Sequence, residues 1–138
     1  MNTTAILTLL RDRLAAILRK APAIPAGIPI RIAVEEPHED ESAALLSIDS
    51  YEEIVPGNYT FRLTAAASLT LRPSEHTASG TADAGDAFGA AVVRLCTGLR
   101  RTEGDTFVIL HAQPLPPPPA VEDGSWRFTA QMELYVQY

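Results

Sequence analysis

Two stretches of the chain alternate apolar and polar residues almost without interruption, and they limit the possible folds more than any other feature. They span residues 59–72 and 126–138, with apolar side chains at odd positions in the first and at even positions in the second. Successive side chains of a β-strand point to opposite faces of a sheet. Each stretch therefore predicts a long antiparallel strand with one buried face, longer than the usual ~5–6 residues.

The rest of the chain supplies two helices and some shorter strands. Apolar residues recur at spacings of three and four over residues 4–20 and 81–101, which predicts amphipathic helices. Strands are expected at 28–35, more loosely at 43–49, and at 106–112, where apolar residues on both faces indicate a central strand. The predicted order is α-β-(β)-β-α-β-β. This is an α+β fold, with a largely antiparallel or mixed sheet of four to five strands and two helices packed on one face.

Length and composition indicate one domain, spanning residues 1–138, because a chain of this length can bury a single sizeable core. The only cysteine excludes an internal disulfide and fits a reducing compartment. The first residues lack the charge and cleavage pattern of a signal peptide, and no stretch approaches the ~20 apolar residues that cross a bilayer. We therefore expect a cytosolic protein with no membrane partner.

Charge is unevenly distributed along the chain. The net charge of −6 argues against sequence-specific nucleic-acid binding as the main activity. Residues 11–31 carry five basic side chains and one acid, whereas residues 35–53 carry eight acids and neither Lys nor Arg. This asymmetry is expected to matter in assembly, where the acidic segment can meet a basic patch of a neighbouring subunit or face a lumen. The first residues of the acidic segment are candidate interface or lumen positions: Glu35, Glu36, Glu39, Asp40 and Glu41.

Candidate chemical sites all have simpler structural interpretations. His38 within the acidic segment lacks the glycine and ligand spacing of a calcium loop, so a solvated loop is favoured. Cys96 has no base nearby in sequence; His38, His76 or His111 remain open as distant partners, but a small core residue is favoured. His111 is interpreted as a structural histidine. We predict no catalytic residue, no cofactor and no metal site.

A run of four prolines lies in the loop before the last strand. Such a run favours polyproline II and could dock on an aromatic groove, although a stiff connection between two strands is the simpler interpretation. A stiff loop loses little entropy when it is bound, so it is a candidate contact element in an oligomer. The run consists of Pro116, Pro117, Pro118 and Pro119.

The layout of nearly the whole chain resembles one protein family. An N-terminal helix, an early strand, a long alternating strand, a second helix and a terminal strand reading Trp-Arg-Phe-Thr-Ala-Gln-Met-Glu-Leu-Tyr-Val resemble the tail terminator, or tail completion, proteins of long-tailed phages and prophages. The resemblance rests on length and element order rather than on an invariant motif. The proline run and the acidic loop do not match features of the family.

The resemblance implies a structural protein without enzymatic activity. Relatives of this kind form a homo-oligomeric ring, commonly a hexamer, that caps the finished tail tube and joins it to the head. The implied partners are further copies of the chain, the tail tube and head–tail connector proteins. The implied location is the host cytoplasm during assembly and then the virion tail.

The polar face of the two long strands is the expected surface for these contacts. Its charged residues Arg62, Arg127 and Glu133 are candidates for a subunit contact or a pore lining. Two alternatives stay open. A head–tail connector or neck protein would be separated from a tail terminator by its neighbouring genes. A small α+β enzyme or ligand-binding domain would require a pocket that holds Cys96 or His111 beside a second polar group.

Overall fold

The computed structural model describes residues 3–24, 27–32, 42–71, 78–104, 106–116 and 126–138. These residues form two helices and one six-stranded mixed sheet, so the α+β class is confirmed. In chain order the elements are α1 (Thr3–Leu18), β1 (Ile30–Ile32), β2 (Ala43–Val55), β3 (Thr60–Leu71), α2 (Ala78–Leu99), β4 (Thr102–Glu103), β5 (Val108–Pro114) and β6 (Trp126–Gln137).

The two alternating stretches form neighbouring strands in the middle of the sheet. β3 and β6 run antiparallel, and every residue of β3 has a partner on β6, from Thr60 opposite Gln137 to Leu71 opposite Trp126. Side chains of one parity are buried on both strands, among them Leu63 and Leu69 on β3 and Leu134 on β6. The prediction of two long strands with one buried face is therefore confirmed.

The apolar stripes of both helices close the core over that face. Leu10 and Leu14 of α1 and Phe88 and Leu95 of α2 are almost completely buried in the same apolar cluster as the inward side chains of β3 and β6. Each such side chain contributes about 1.5–3 kcal/mol relative to leaving it exposed. Neither helix in the described part of the chain combines the length and apolar content that a membrane crossing requires.

The order of strands across the sheet is β1-β2-β3-β6-β5-β4, and β1 runs parallel to β2 while all other neighbours are antiparallel. The sheet has six strands where four to five were expected, because α2 is followed by the two-residue strand β4. Arg101, with a φ of 59°, turns the chain between α2 and β4. β4 pairs with Val108 and Ile109 at one end of β5.

The prediction of a central strand at 106–112 is wrong. β5 occupies the fifth of six positions, and only two of its residues have a partner on the β4 side among the described residues. A bulge between Ile109 and His111 shifts the register against β6. Leu110 is consequently turned outward and is 42% exposed, although its apolar character suggested burial.

Several boundaries also differ from the sequence prediction. β2 continues to Val55, well beyond the expected end at 49, because it follows β3 through two further register shifts. α1 ends at Leu18 rather than at 20, and α2 spans Ala78–Leu99 rather than 81–101. β1 contains Ile30–Ile32 of the expected strand at 28–35; residues 33–35 lie outside the described residues.

One close approach between α2 and β6 gives a test of the packing. A Cβ atom at Gly85 would collide with the ring of Phe128, whereas a Cβ at Gly89 would meet nothing within 4 Å. Replacing glycine by alanine inside a helix normally stabilises by about 0.5–1 kcal/mol. We therefore expect Gly89→Ala to raise the free energy of unfolding by this amount, and Gly85→Ala to lower it by about 1–3 kcal/mol through overpacking.

Urea unfolding followed by circular dichroism measures both values, and Gly89→Ala is the matched control because it lies one helical turn away. Equal stabilisation by the two substitutions would contradict the described contact between α2 and β6.

Candidate functional site

The face of the sheet opposite the helices, here called the open face, is lined mainly by polar and small side chains. Small residues lie in its middle, where Ser47 pairs with Ala66 on β2 and β3, and Ser68 pairs with Thr129 on β3 and β6. The hydroxyl oxygens of Ser68 and Thr129 are 3.3 Å apart, within hydrogen-bonding distance. Ala66 is buried by its neighbours but does not belong to the apolar cluster under the helices. The open face is thus a second, separate surface of the same sheet.

A hydrogen-bonded group occupies the β5–β6 side of the open face. The amide nitrogen Nε2 of Gln113 and the hydroxyl of Tyr135 both donate to Oε1 of Glu133, at 3.0 Å and 2.9 Å. Nε2 of His111 lies 3.5 Å from Oε1 of Gln113, and the His111 and Tyr135 rings are 6.0 Å apart. The predicted residue Glu133 is therefore held by two donors across two strands, and His111 has a partner on the surface of the sheet.

Arg62 and Arg127 occupy different ends of the open face. Arg62 forms an ion pair with Glu52, its partner on β2. On its other side Arg62 is opposite Tyr135, so it lies close to the position of Glu133. Arg127 is exposed and opposite Thr70, about 20 Å from Glu133 at the usual rise along a strand. Arg62 and Glu133 therefore lie at diagonal positions on neighbouring strands, each with its own partners, whereas Arg127 lies apart.

The remaining predicted positions fall mostly outside the described residues. Glu35, Glu36, Glu39, Asp40 and Glu41 all lie there, as do Pro117, Pro118 and Pro119. Pro116 is described: it is exposed and follows the end of β5.

The β2–β3 hairpin was not anticipated as a functional element. β1 pairs only with residues Ala44 to Leu46 of β2, so beyond Leu46 the outer edge of β2 has no strand beside it among the described residues, whereas β3 stays paired with β6. We call residues 49–62 the hairpin arm; its residues 49–59 are all exposed. Four of the six large apolar side chains that are exposed in the described part of the chain lie on this arm: Tyr51, Ile54, Val55 and Tyr59. The apolar residues on both sides of the Pro56-Gly57 turn did not indicate exposure, because such residues are usually buried.

Cross-strand contacts hold the hairpin arm in shape. The Tyr51 and Phe61 rings meet edge-on with centroids 6.5 Å apart, and Phe61 meets Tyr138 in the same way at 5.8 Å. Such pairs contribute about 0.5–1.5 kcal/mol each. In the turn, the backbone N–H of Gly57 donates to Oε1 of Glu53 at 2.7 Å. These contacts hold the hairpin arm in one conformation, with the exposed apolar side chains beside its turn.

Cys96 lies in the core, where its side chain is almost completely buried between α2 and the sheet. Burial disfavours the thiolate and raises the pKa of Cys96 from 9.0 to about 11. The thiol is thus protonated and covered at neutral pH, as the interpretation of a core residue predicts. Among the described residues, no group of three or more His, Cys, Asp and Glu side chains could hold a metal ion.

The burial of Cys96 predicts low reactivity. We expect alkylation by iodoacetamide at pH 8 to be at least 100-fold slower in the native protein than in urea, because reaction requires the core to open. Mass spectrometry of timed samples measures both rates. Similar native and unfolded rates would contradict the buried position.

The raised pKa of Cys96 also predicts how the free energy of unfolding depends on pH. An unfolded chain releases the thiol proton near pH 9, and the folded chain near pH 11. The stabilising contribution of Cys96 is therefore complete below pH 9 and is lost as the pH rises to about 11. The difference in unfolding free energy between the wild type and Cys96→Ala should narrow over that interval.

Comparison with known proteins adds no relative. No family model matches the chain, and no curated protein matches it.

Proposed function

We propose that this chain is a structural protein of virion assembly that resembles a tail terminator. In this proposal, copies of the chain form a homo-oligomeric ring, which caps the tail tube and joins it to the head. The observation that carries the proposal is the open face, a broad polar surface that extends across β2, β3, β6 and β5 outside the apolar core.

The chemistry of the open face suits a wide contact or a pore lining. Its side chains are mostly short or half-exposed, and two of its charged groups, Glu133 and Arg62, already have partners in the same subunit, while Arg127 lies exposed at one end. A surface of this kind can approach another protein, or surround a hydrated channel, without leaving buried charges unpaired. The net charge of −6 would weaken adhesion of DNA to a lumen built from such subunits.

Two observations weigh against the alternative of a small enzyme. The thiol of Cys96 lies among apolar side chains rather than in a pocket. His111 is half-buried on the sheet surface and lies beside Gln113 and Tyr135. For Cys96 the surroundings are therefore apolar, and the polar neighbours of His111 lie on the surface of the sheet.

The proposal predicts that the purified chain self-associates into one closed species. Native mass spectrometry at high protein concentration and low salt should detect a discrete oligomer, with a hexamer as the expected stoichiometry. Negative-stain images should show a ring whose opening admits duplex DNA. Because opposite charges are segregated along the chain, raising the salt from ~0.05 M to ~1 M should shift the population towards monomer.

The denatured chain supplies the monomer mass as the control. A protein that remains monomeric at every concentration in low salt would contradict the proposal for the free chain.

A further inference from the structure

The tip of the hairpin arm has the chemistry of a docking element. Val55 is 46% exposed and Tyr59 is 66% exposed, and both lie beside the turn. Soluble proteins scatter such side chains singly, and clusters of them mark interaction surfaces. The cluster lies at the end of the arm, where the backbone N–H of Tyr138 donates to the carbonyl of Tyr59.

Tyr59 adds an independent sign of function. Its φ is 54°, in the left-handed region that bulky side chains rarely adopt. A glycine would take this conformation without strain, yet the chain carries a large aromatic side chain that projects into solvent. The carbonyl of Tyr59 accepts a hydrogen bond from the backbone N–H of Tyr138 at 2.9 Å, so the backbone is fixed within the subunit while the ring is left exposed.

A receptor of matching character lies elsewhere on the same chain. A groove of about 640 Å³ separates the end of α1 from β1. Its lining is mostly apolar and includes Leu18, Ile24, Ile28 and Ile30. Arg19 also lines the groove, and the neighbouring Lys20 is exposed. The groove thus combines an apolar floor with cationic groups.

The charges of the arm and of the groove are complementary. The arm carries three carboxylates, Asp49, Glu52 and Glu53, and one guanidinium, Arg62, which is already paired with Glu52. The groove is lined by Arg19, next to Lys20 in the sequence, and the described residues of its lining include no carboxylate. Complementary charge of this kind steers two surfaces together and fixes their register.

The arm and the groove of one subunit cannot meet each other. β1 lies beside the start of β2, where Ile30 is opposite Ala44, whereas Val55 is at the far end of β2. At the usual rise of a strand these positions are about 35 Å apart. A contact between them must therefore join two copies. In the proposed ring each copy contacts two different neighbours, so the contact is head-to-tail rather than a reciprocal exchange between two copies. Head-to-tail contacts generate rings when the rotation closes.

We propose that the tip of the hairpin arm of one copy docks in the α1–β1 groove of the next copy. Val55 and Tyr59 enter the apolar groove, while Glu53 faces Arg19. The inference builds on the self-association in the proposed function and adds the surfaces that meet. Every subunit then gives one arm and receives one, so that closure of the ring reinforces a contact that is small by itself.

Disulfide cross-linking tests the contact directly. Val55→Cys and Ala23→Cys place thiols at the tip and at the groove, on exposed positions. The two single variants are prepared separately, mixed and oxidised, and the covalent dimer is quantified by non-reducing electrophoresis. We expect at least fivefold more heterodimer than in a mixture of Val93→Cys with Ala23→Cys. Val93 is the matched control because it is a valine with 48% exposure on α2.

The cross-linking has two informative extensions. A chain that carries both Val55→Cys and Ala23→Cys should give a ladder that ends at the stoichiometry of the ring. All variants can be prepared in the wild-type background or with Cys96→Ala, since Cys96 is buried. No excess over the Val93→Cys control, or preferential linking of Val55→Cys to itself, would overturn the inference.

Two further variants separate docking from folding. Tyr59→Gly should weaken self-association at least tenfold without lowering the melting temperature, because it removes an exposed ring and the strained φ together. Glu53→Gln keeps a side-chain oxygen that can accept from Gly57 and removes only the charge. Glu53→Gln and Arg19→Gln should each weaken association, and the double variant should be no weaker than either single variant. Additive losses in the double variant would refute the pairing of Glu53 with Arg19.

The outcomes distinguish this inference from the proposed function. A wild-type ring without the Val55–Ala23 cross-link would refute the docking contact and leave the ring proposal intact. The cross-link in open chains that never close would establish the contact and contradict the ring. A strictly monomeric wild type without the cross-link would refute both.

Discussion

The pairing of β3 with β6 is the constraint on which the rest of the structure depends. Their ladder runs without a register shift, so the alternation of each strand divides the whole sheet into an apolar face and a polar face. A slip by one residue would exchange the two faces and expose Leu63, Leu69 and Leu134. The helices are placed by the same division, because only one face offers apolar area to their stripes. The side chains of the open face are those whose parity on the strands directs them away from the core.

The sequence predicted those elements whose regular apolar face packs against the regular apolar face of another element. Both helices and both long strands could be predicted because their apolar faces are regular and buried. The length of β2 could not be predicted, because Ser50, Glu52 and Glu53 show no alternation of apolar and polar residues. They are part of the strand only through their pairing with β3. Leu110 was expected to be buried because it is apolar, but a backbone bulge turns its side chain outward. Local pattern therefore predicted element type better than position in the sheet.

The candidate site was only partly predictable for a similar reason. The polar parity of β3 and β6 identified Arg62 and Glu133, but not the donors Gln113 and Tyr135 that hold Glu133 in place. Gln113 comes from a different strand and meets Glu133 only through the register of β5 against β6. The exposed tip was missed because apolar residues next to a turn usually indicate burial. Only a three-dimensional frame shows that β1 ends long before β2 does.

The outer edge of β2 has a consequence for how copies of the chain can join. Beyond Leu46 this edge has no strand beside it in the described part of the chain, and a free edge of that length can template an unlimited sheet shared between molecules. The two register shifts, around Asp49 and Ile54, interrupt the regular spacing of its backbone groups. The carboxylates of Asp49, Glu52 and Glu53 would repel an identical edge. Fibre growth along β2 is thereby disfavoured, and any association is left to side chains, whose contacts can be satisfied by a finite number of subunits.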